Sequence, residues 1–133
     1  MKRLLAALIF VCAMTQLALA CNSQMASDCT NGNSPAIASV HLGQTNFVQS
    51  SVTIRKGCSL LLTDDAATVH NINNGSWVNG APQPAQEPGA PTVSNLQFSQ
   101  AYQGKVLGPF TTVGTFHLYC SIHPGMNLTI MVQ

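Results

Sequence analysis

From Ile37 onward the chain offers short apolar or alternating runs separated by Gly, Pro, Asn and Asp, with no stripe at helical spacing. This pattern predicts strands joined by turns. The clearest alternation is Asn127-Leu128-Thr129-Ile130-Met131-Val132. Successive side chains of a strand point to opposite faces, so Leu128, Ile130 and Val132 turn toward a core and Thr129 and Met131 away from it. In Thr115-Phe116-His117-Leu118-Tyr119-Cys120 the same rule sends Phe116, Leu118 and Cys120 inward and His117 and Tyr119 outward. Segments 52–54, 59–63 and 68–72 supply the middle strands. Lys56-Gly57 and Asp64-Asp65 read as turn signals between them, and His70 falls near a strand end. The expectation is an all-β sandwich of roughly seven or eight strands.

Residues 73–92 interrupt this rhythm. Pro82, Pro84, Pro88 and Pro91, with Gly75, Gly80 and Gly89, resist both helix and central strand. The segment reads as an ordered surface excursion containing Trp77. That indole either caps a hydrophobic surface or packs the excursion down, and packing is the commoner role for a buried aromatic ring.

The first residues belong to a different kind of segment. Met1-Lys2-Arg3 precedes an apolar run ending in Ala18-Leu19-Ala20 before Cys21, the three-part pattern of an export signal over 1–20. The run is also nearly long enough to serve as an uncleaved membrane anchor. Either way the body is expected outside the cytoplasm, in the periplasm or at the cell surface. Residues 21–35 are polar and aperiodic, the composition of a tether. The remaining stretch, 36–133, suits one domain. Beyond the leader, three basic residues (Arg55, Lys56, Lys105) face four acidic ones (Asp28, Asp64, Asp65, Glu87), a net charge of −1 with neutral histidines. That charge excludes a basic nucleic-acid-binding surface. Docking to a partner would rely on apolar contact and shape, with weak salt dependence.

The chain has five cysteines, an odd number that asks for separate roles in an exported protein. Cys12 leaves with the leader. Cys21 follows a sequence loosely resembling a bacterial lipobox, in which the cysteine after the cut is acylated; ordinary cleavage would leave it a free thiol. Cys29 and Cys58 then remain as a pair that an oxidising compartment would bridge. Cys120 belongs to a different pattern.

Tyr119-Cys120-Ser121-Ile122-His123-Pro124-Gly125-Met126 puts a thiol, an imidazole and a thioether in C-x2-H-x2-M spacing between two strands. Soft sulfur with imidazole selects copper over hard cations, and two histidines, one cysteine and a long axial methionine define electron-transfer copper centres. A second histidine must come from elsewhere, and His70 in Thr68-Val69-His70-Asn71-Ile72 is the best placed. The candidate metal ligands are therefore His70, Cys120, His123 and Met126.

With Val69-His70-Asn71 upstream of this loop, the sequence resembles the cupredoxins, the plastocyanin-like type 1 blue-copper family, over about residues 37–132. The short loop is most similar to that of amicyanin. The resemblance implies a Greek-key β-sandwich with one copper ion at one end, His70 as the buried ligand and His123 as the one nearest the surface. It also implies that Asn71 ties its own loop to the ligand loop by hydrogen bonding. The implied role is single-electron transport between extracytoplasmic or membrane redox proteins, with the donor and acceptor unidentified. No enzymatic activity is implied, and the protein is expected to be a monomer. The long Pro/Gly excursion and the lack of an acidic docking patch depart from the family pattern and put a plant-type partner in doubt.

Competing readings are weaker. A single strand cysteine is usually a small buried hydrophobe and a single loop methionine usually packing; it is their joint spacing with two histidines that argues for a metal. Zinc disfavours a thioether ligand. A Cys/His hydrolase needs an orienting third residue and an oxyanion hole. His41 and His117 lack metal-ligand context and read as exposed or hydrogen-bonded structural residues. The functional alternatives are a copper-binding or delivery protein and a metal-free β-sandwich binding module.

Overall fold

The computed structural model describes residues 37–133. The expected leader, the tether, the acylation at Cys21 and the pairing of Cys29 lie outside the described residues. Cys58 is buried and disulfide-bonded, and Cys120 is free.

Among the described residues nine strands form two sheets: β1 (Ile37–Leu42), β2 (Ser51–Ile54), β3 (Ser59–Asp64), β4 (His70–Val78), β5 (Ala81–Pro84), β6 (Leu96–Phe98), β7 (Gly104–Leu107), β8 (Gly114–Cys120) and β9 (Asn127–Val132). The smaller sheet has the order β1-β3-β7, and the larger runs β2-β9-β8-β4-β5 with β6 also on β4. β1 pairs parallel with β3, and β2 pairs parallel with β9. The chain therefore crosses between sheets at β2 rather than turning back as a hairpin. The alternating positions read from the sequence fill the space between the layers. Leu128, Ile130 and Val132 of β9 meet Phe116 and Leu118 of β8, Leu60 and Leu62 of β3, Val40 and Leu42 of β1, and Phe98 of β6. Burying such side chains contributes about 1.5–3 kcal/mol each and supplies the main drive for the sandwich.

The structure corrects the reading of residues 73–92 as an excursion without strands. Asn73 to Val78 continue β4, and Ala81 to Pro84 form β5 against them. Asn79 and Gly80 both have positive φ, 51° and 77°, the conformation a two-residue hairpin turn requires and Asn-Gly favours. Pro82 and Pro84 are accommodated because β5 is an exposed edge strand, where a missing N–H leaves no neighbour unpaired. Gly75 is where β4 leaves the main sheet. Its φ is +119°, and a Cβ there would sit 2.2 Å from the carbonyl oxygen of Gln83. Beyond it, the hairpin lies over the outward face of β8 and buries Tyr119 to 4% exposure. The Trp77 ring meets Tyr119 edge-on, with centroids 6.4 Å apart.

A second correction concerns Asp64-Asp65. Asp65 lies in an exposed turn and pairs with His41 at 2.9 Å, but Asp64 is the last residue of β3 and fully buried, 0% exposed. It shares the inward face with Leu60 and Leu62, as alternation along β3 dictates. His117, on the outward face of β8, pairs with Glu87 at 2.7 Å. Neither His41 nor His117 approaches the metal-ligand candidates' cluster.

Candidate metal centre

Register brings the ligand candidates together. Ile72 of β4 pairs with Cys120, the last residue of β8. The residues before Ile72 therefore run alongside the loop that follows Cys120. His70 and Ile72 share one face of β4, the face on which Cys120 is also buried, so imidazole and thiol point into the same interior space. The two segments are held in place by backbone contacts: Ser121 N–H donates to Asn71 O at 2.9 Å, and Asn71 N–H donates to Cys120 Sγ at 3.4 Å. Asn71 thus ties the loops together, as the resemblance implies, but through its main chain. Its side-chain amide instead donates to Asn95 Oδ1 at 3.3 Å.

The loop turns back on itself within a few residues. Gly125 adopts φ 78°, Met126 N–H donates to His123 O at 3.2 Å, and Cys120 N–H donates to Met126 O at 3.1 Å. This closure returns Met126 to the interior, 2% exposed, next to Cys120. The donor nitrogens of His70 and His123 and the Cys120 sulfur all lie within 4.8 Å of one another, and Met126 is near them. Cys120 Sγ is 3.4 Å from His123 Nδ1, and the two imidazole rings are 4.9 Å apart. His70 and Cys120 are fully buried, while His123 is partly exposed.

The protonation geometry of His70 suits a metal ligand. Nε2 lies 2.9 Å from the carbonyl oxygen of Gly43. A carbonyl can only accept, so Nε2 carries the proton and Nδ1 keeps its lone pair. That Nδ1 is buried and has no hydrogen-bond partner. A buried unpartnered lone pair is expensive unless something coordinates it, and His70 clusters with a thiol and a second imidazole, with the Met126 thioether near them. Burial lowers the His70 pKa and so favours the neutral ligand form, against the raising influence of Asp64 and of the Gly43 carbonyl; His123 adds a smaller lowering.

The roles of four residues around the site went unread in the sequence. Gly43 supplies the acceptor for His70. Trp77 donates from Nε1 to Cys120 O at 2.8 Å, and Asn127 brackets the same residue, accepting from Trp77 N–H at 2.7 Å and donating to Trp77 O at 3.1 Å. Asp64 lies behind His70. Alternation along segment 59–64 is the signal that would have found Asp64, and the Asn79-Gly80 turn the one that would have found the Trp77 hairpin.

No family model and no curated protein matches the chain. Solved structures do. Amicyanin from Paracoccus versutus (Thiobacillus versutus) aligns with a TM-score of 0.55 at 17% identity, over 76% of this chain and 86% of that one. A purple cupredoxin from Nitrosopumilus maritimus aligns with a TM-score of 0.55 at 18% identity, over 72% of this chain and 99% of that one. An oxidized single-site variant of amicyanin gives 0.54 at 19% identity, over 72% and 81%. The chain has the cupredoxin-like fold.

Proposed function

We propose that the chain binds one copper ion through His70, Cys120, His123 and Met126 and carries single electrons between redox proteins outside the cytoplasm. The observation that supports this most is the buried, unpartnered Nδ1 of His70, a residue clustered with Cys120 and His123 in a cupredoxin-like sandwich. Bound in such a set, copper supplies reversible one-electron chemistry between its cuprous and cupric states.

The protein's own part is to keep the donors fixed. His70 is oriented by Gly43 O, Cys120 by the Asn71 amide and, through its carbonyl, by Trp77. Met126 is held by the closed turn of its own loop. Donors held this firmly move little when charge changes, which keeps reorganisation small. His123 is the ligand that reaches the surface, and the apolar Val69 and Ile122, 55% and 48% exposed, each precede one of the two histidines. An apolar rim with few charges suits brief docking to another redox protein. On this reading the chain catalyses no reaction of its own. Residues 1–20 act as an export signal, 21–35 as a tether acylated at Cys21, and 36–133 as the working domain, with Cys29 as the partner of Cys58.

Voltammetry of the copper-loaded protein tests electron carriage. A reversible one-electron wave that persists over many cycles without copper loss supports it. Loss of the ion to a Cu(I) chelator on reduction would instead indicate copper delivery.

A further inference from the structure

Behind His70 lies a buried acid that the ligand set leaves unexplained. The Asp64 side chain is 0% exposed. Its backbone is locked at the end of β3, with N–H donating to Gln103 O at 3.0 Å, and its Oδ1 accepts from Ala66 N–H at 3.1 Å. The same Oδ1 lies 4.0 Å from Nε2 of His70, the nitrogen that donates to Gly43 O. Oδ2 is buried with no hydrogen-bond partner. A carboxylate out of water with one oxygen unpartnered is costly, and a nearby positive charge offsets that cost. Its ion-pair partner among the described residues is His70, and His70 is needed in its neutral form as a ligand.

We propose that Asp64 is a positioned charge that tunes the metal centre, favouring its oxidised over its reduced form through His70 and so lowering its reduction potential. The inference rests on the copper reading above. With one thiolate among neutral donors, the oxidised centre carries a net positive charge and the reduced centre none; reduction adds one electron and no proton. A fixed negative charge beside the His70 ring therefore stabilises the first and not the second, and the effect is strong where water is excluded. A merely structural Asp64 would act through the Ala66 hydrogen bond, which an asparagine oxygen can accept equally well.

The test compares the wild-type protein with Asp64→Asn, and with Asp64→Ser in case the amide packs poorly, by spectroelectrochemical titration after loading with Cu(II). The expected result is an upward shift of the midpoint potential in the variants, with the thiolate-to-copper band retained. The copper-free Asp64→Asn protein should also resist urea better than wild type, because an uncompensated buried charge is gone. Unchanged or lowered potentials with the band intact would overturn the tuning role, as would a less urea-resistant copper-free Asp64→Asn protein. Absence of the band in wild type itself would overturn the copper reading and, with it, this inference.

Discussion

Trp77 Nε1 donates to the carbonyl oxygen of Cys120 at 2.8 Å across a separation of 43 residues. The outer hairpin is thereby fastened to the residue whose sulfur faces the interior. The bond joins two faces of one strand: Cys120 Sγ works on the inside of β8, while its carbonyl is held from the outside. Trp77→Phe keeps an aromatic ring over Tyr119 and deletes the donor. The expected loss of stability is about 1 kcal/mol, the usual net worth of one such bond, with a broadened thiolate-to-copper band because the loop is less firmly held. Urea unfolding and the absorption spectrum of the loaded variant check both. An unchanged midpoint and band would show that the hairpin does not restrain the loop.

Gly75→Ala tests the pivot of that hairpin. The added Cβ would fall 2.2 Å from Gln83 O and 2.7 Å from Ala85 N, both backbone atoms that cannot step aside, and the φ of +119° is itself unsuited to a side chain. The hairpin should detach while the core stays folded. Trp77 is the chain's single tryptophan, so its fluorescence reports the event directly: emission should move to the red, toward that of a solvated indole. Emission identical to wild type would contradict the placement of Gly75.

The ligands differ in what else they hold up. Cys120→Ser leaves a hydroxyl that can still accept from Asn71 N–H, and it changes a single buried atom of the core to which Leu128, Ile130 and Val132 also belong. This variant is expected to fold normally and lose the coloured site. His70→Ala should also lose the site, but it strands the Gly43 carbonyl and opens a cavity at a fully buried position. It is therefore expected to remain folded with about 1–3 kcal/mol less stability from the unsatisfied acceptor alone. Circular dichroism with urea titration separates the two, and unfolding of the Cys120→Ser protein would contradict the account.

These residues also show how much the sequence made legible. Cys120, His123 and Met126 were readable because their chemistry is packed into one turn, and Leu128, Ile130 and Val132 because a solvent-facing alternation survives in β9. His70 was expected at a strand end, and it opens β4 next to Cys120 and His123, because the boundary of a strand is a local signature. Asp64 was not. Two adjacent acids look like a turn in one dimension, and only the inward phase of Leu60 and Leu62 shows that the first of them is buried. Trp77 was seen, but its partner was not, because reaching Cys120 O depends on the bend at Gly75 and on β4 pairing with β8. Proline content misled for a related reason: Pro82 and Pro84 exclude a central strand but not an edge.

Acid should weaken the copper-free protein through His70. Burial lowers its pKa from the ordinary 6.5. Between 6.5 and the lowered native value the unfolded chain binds a proton that the folded chain refuses, so the stability present above 6.5 is lost as pH falls through that window. The urea midpoint of the copper-free protein should drop between about pH 7.5 and about pH 5.5, and the drop should shrink in the His70→Ala protein. A midpoint insensitive to pH in both would contradict the buried neutral imidazole.

The most direct measurement is a visible absorption spectrum of the purified protein titrated with Cu(II), followed by a mild reductant. The account predicts an intense thiolate-to-copper band that saturates at one equivalent, bleaches on reduction and returns on reoxidation. No such band, or uptake of several colourless Cu(I) ions, would contradict a single copper held by His70, Cys120, His123 and Met126.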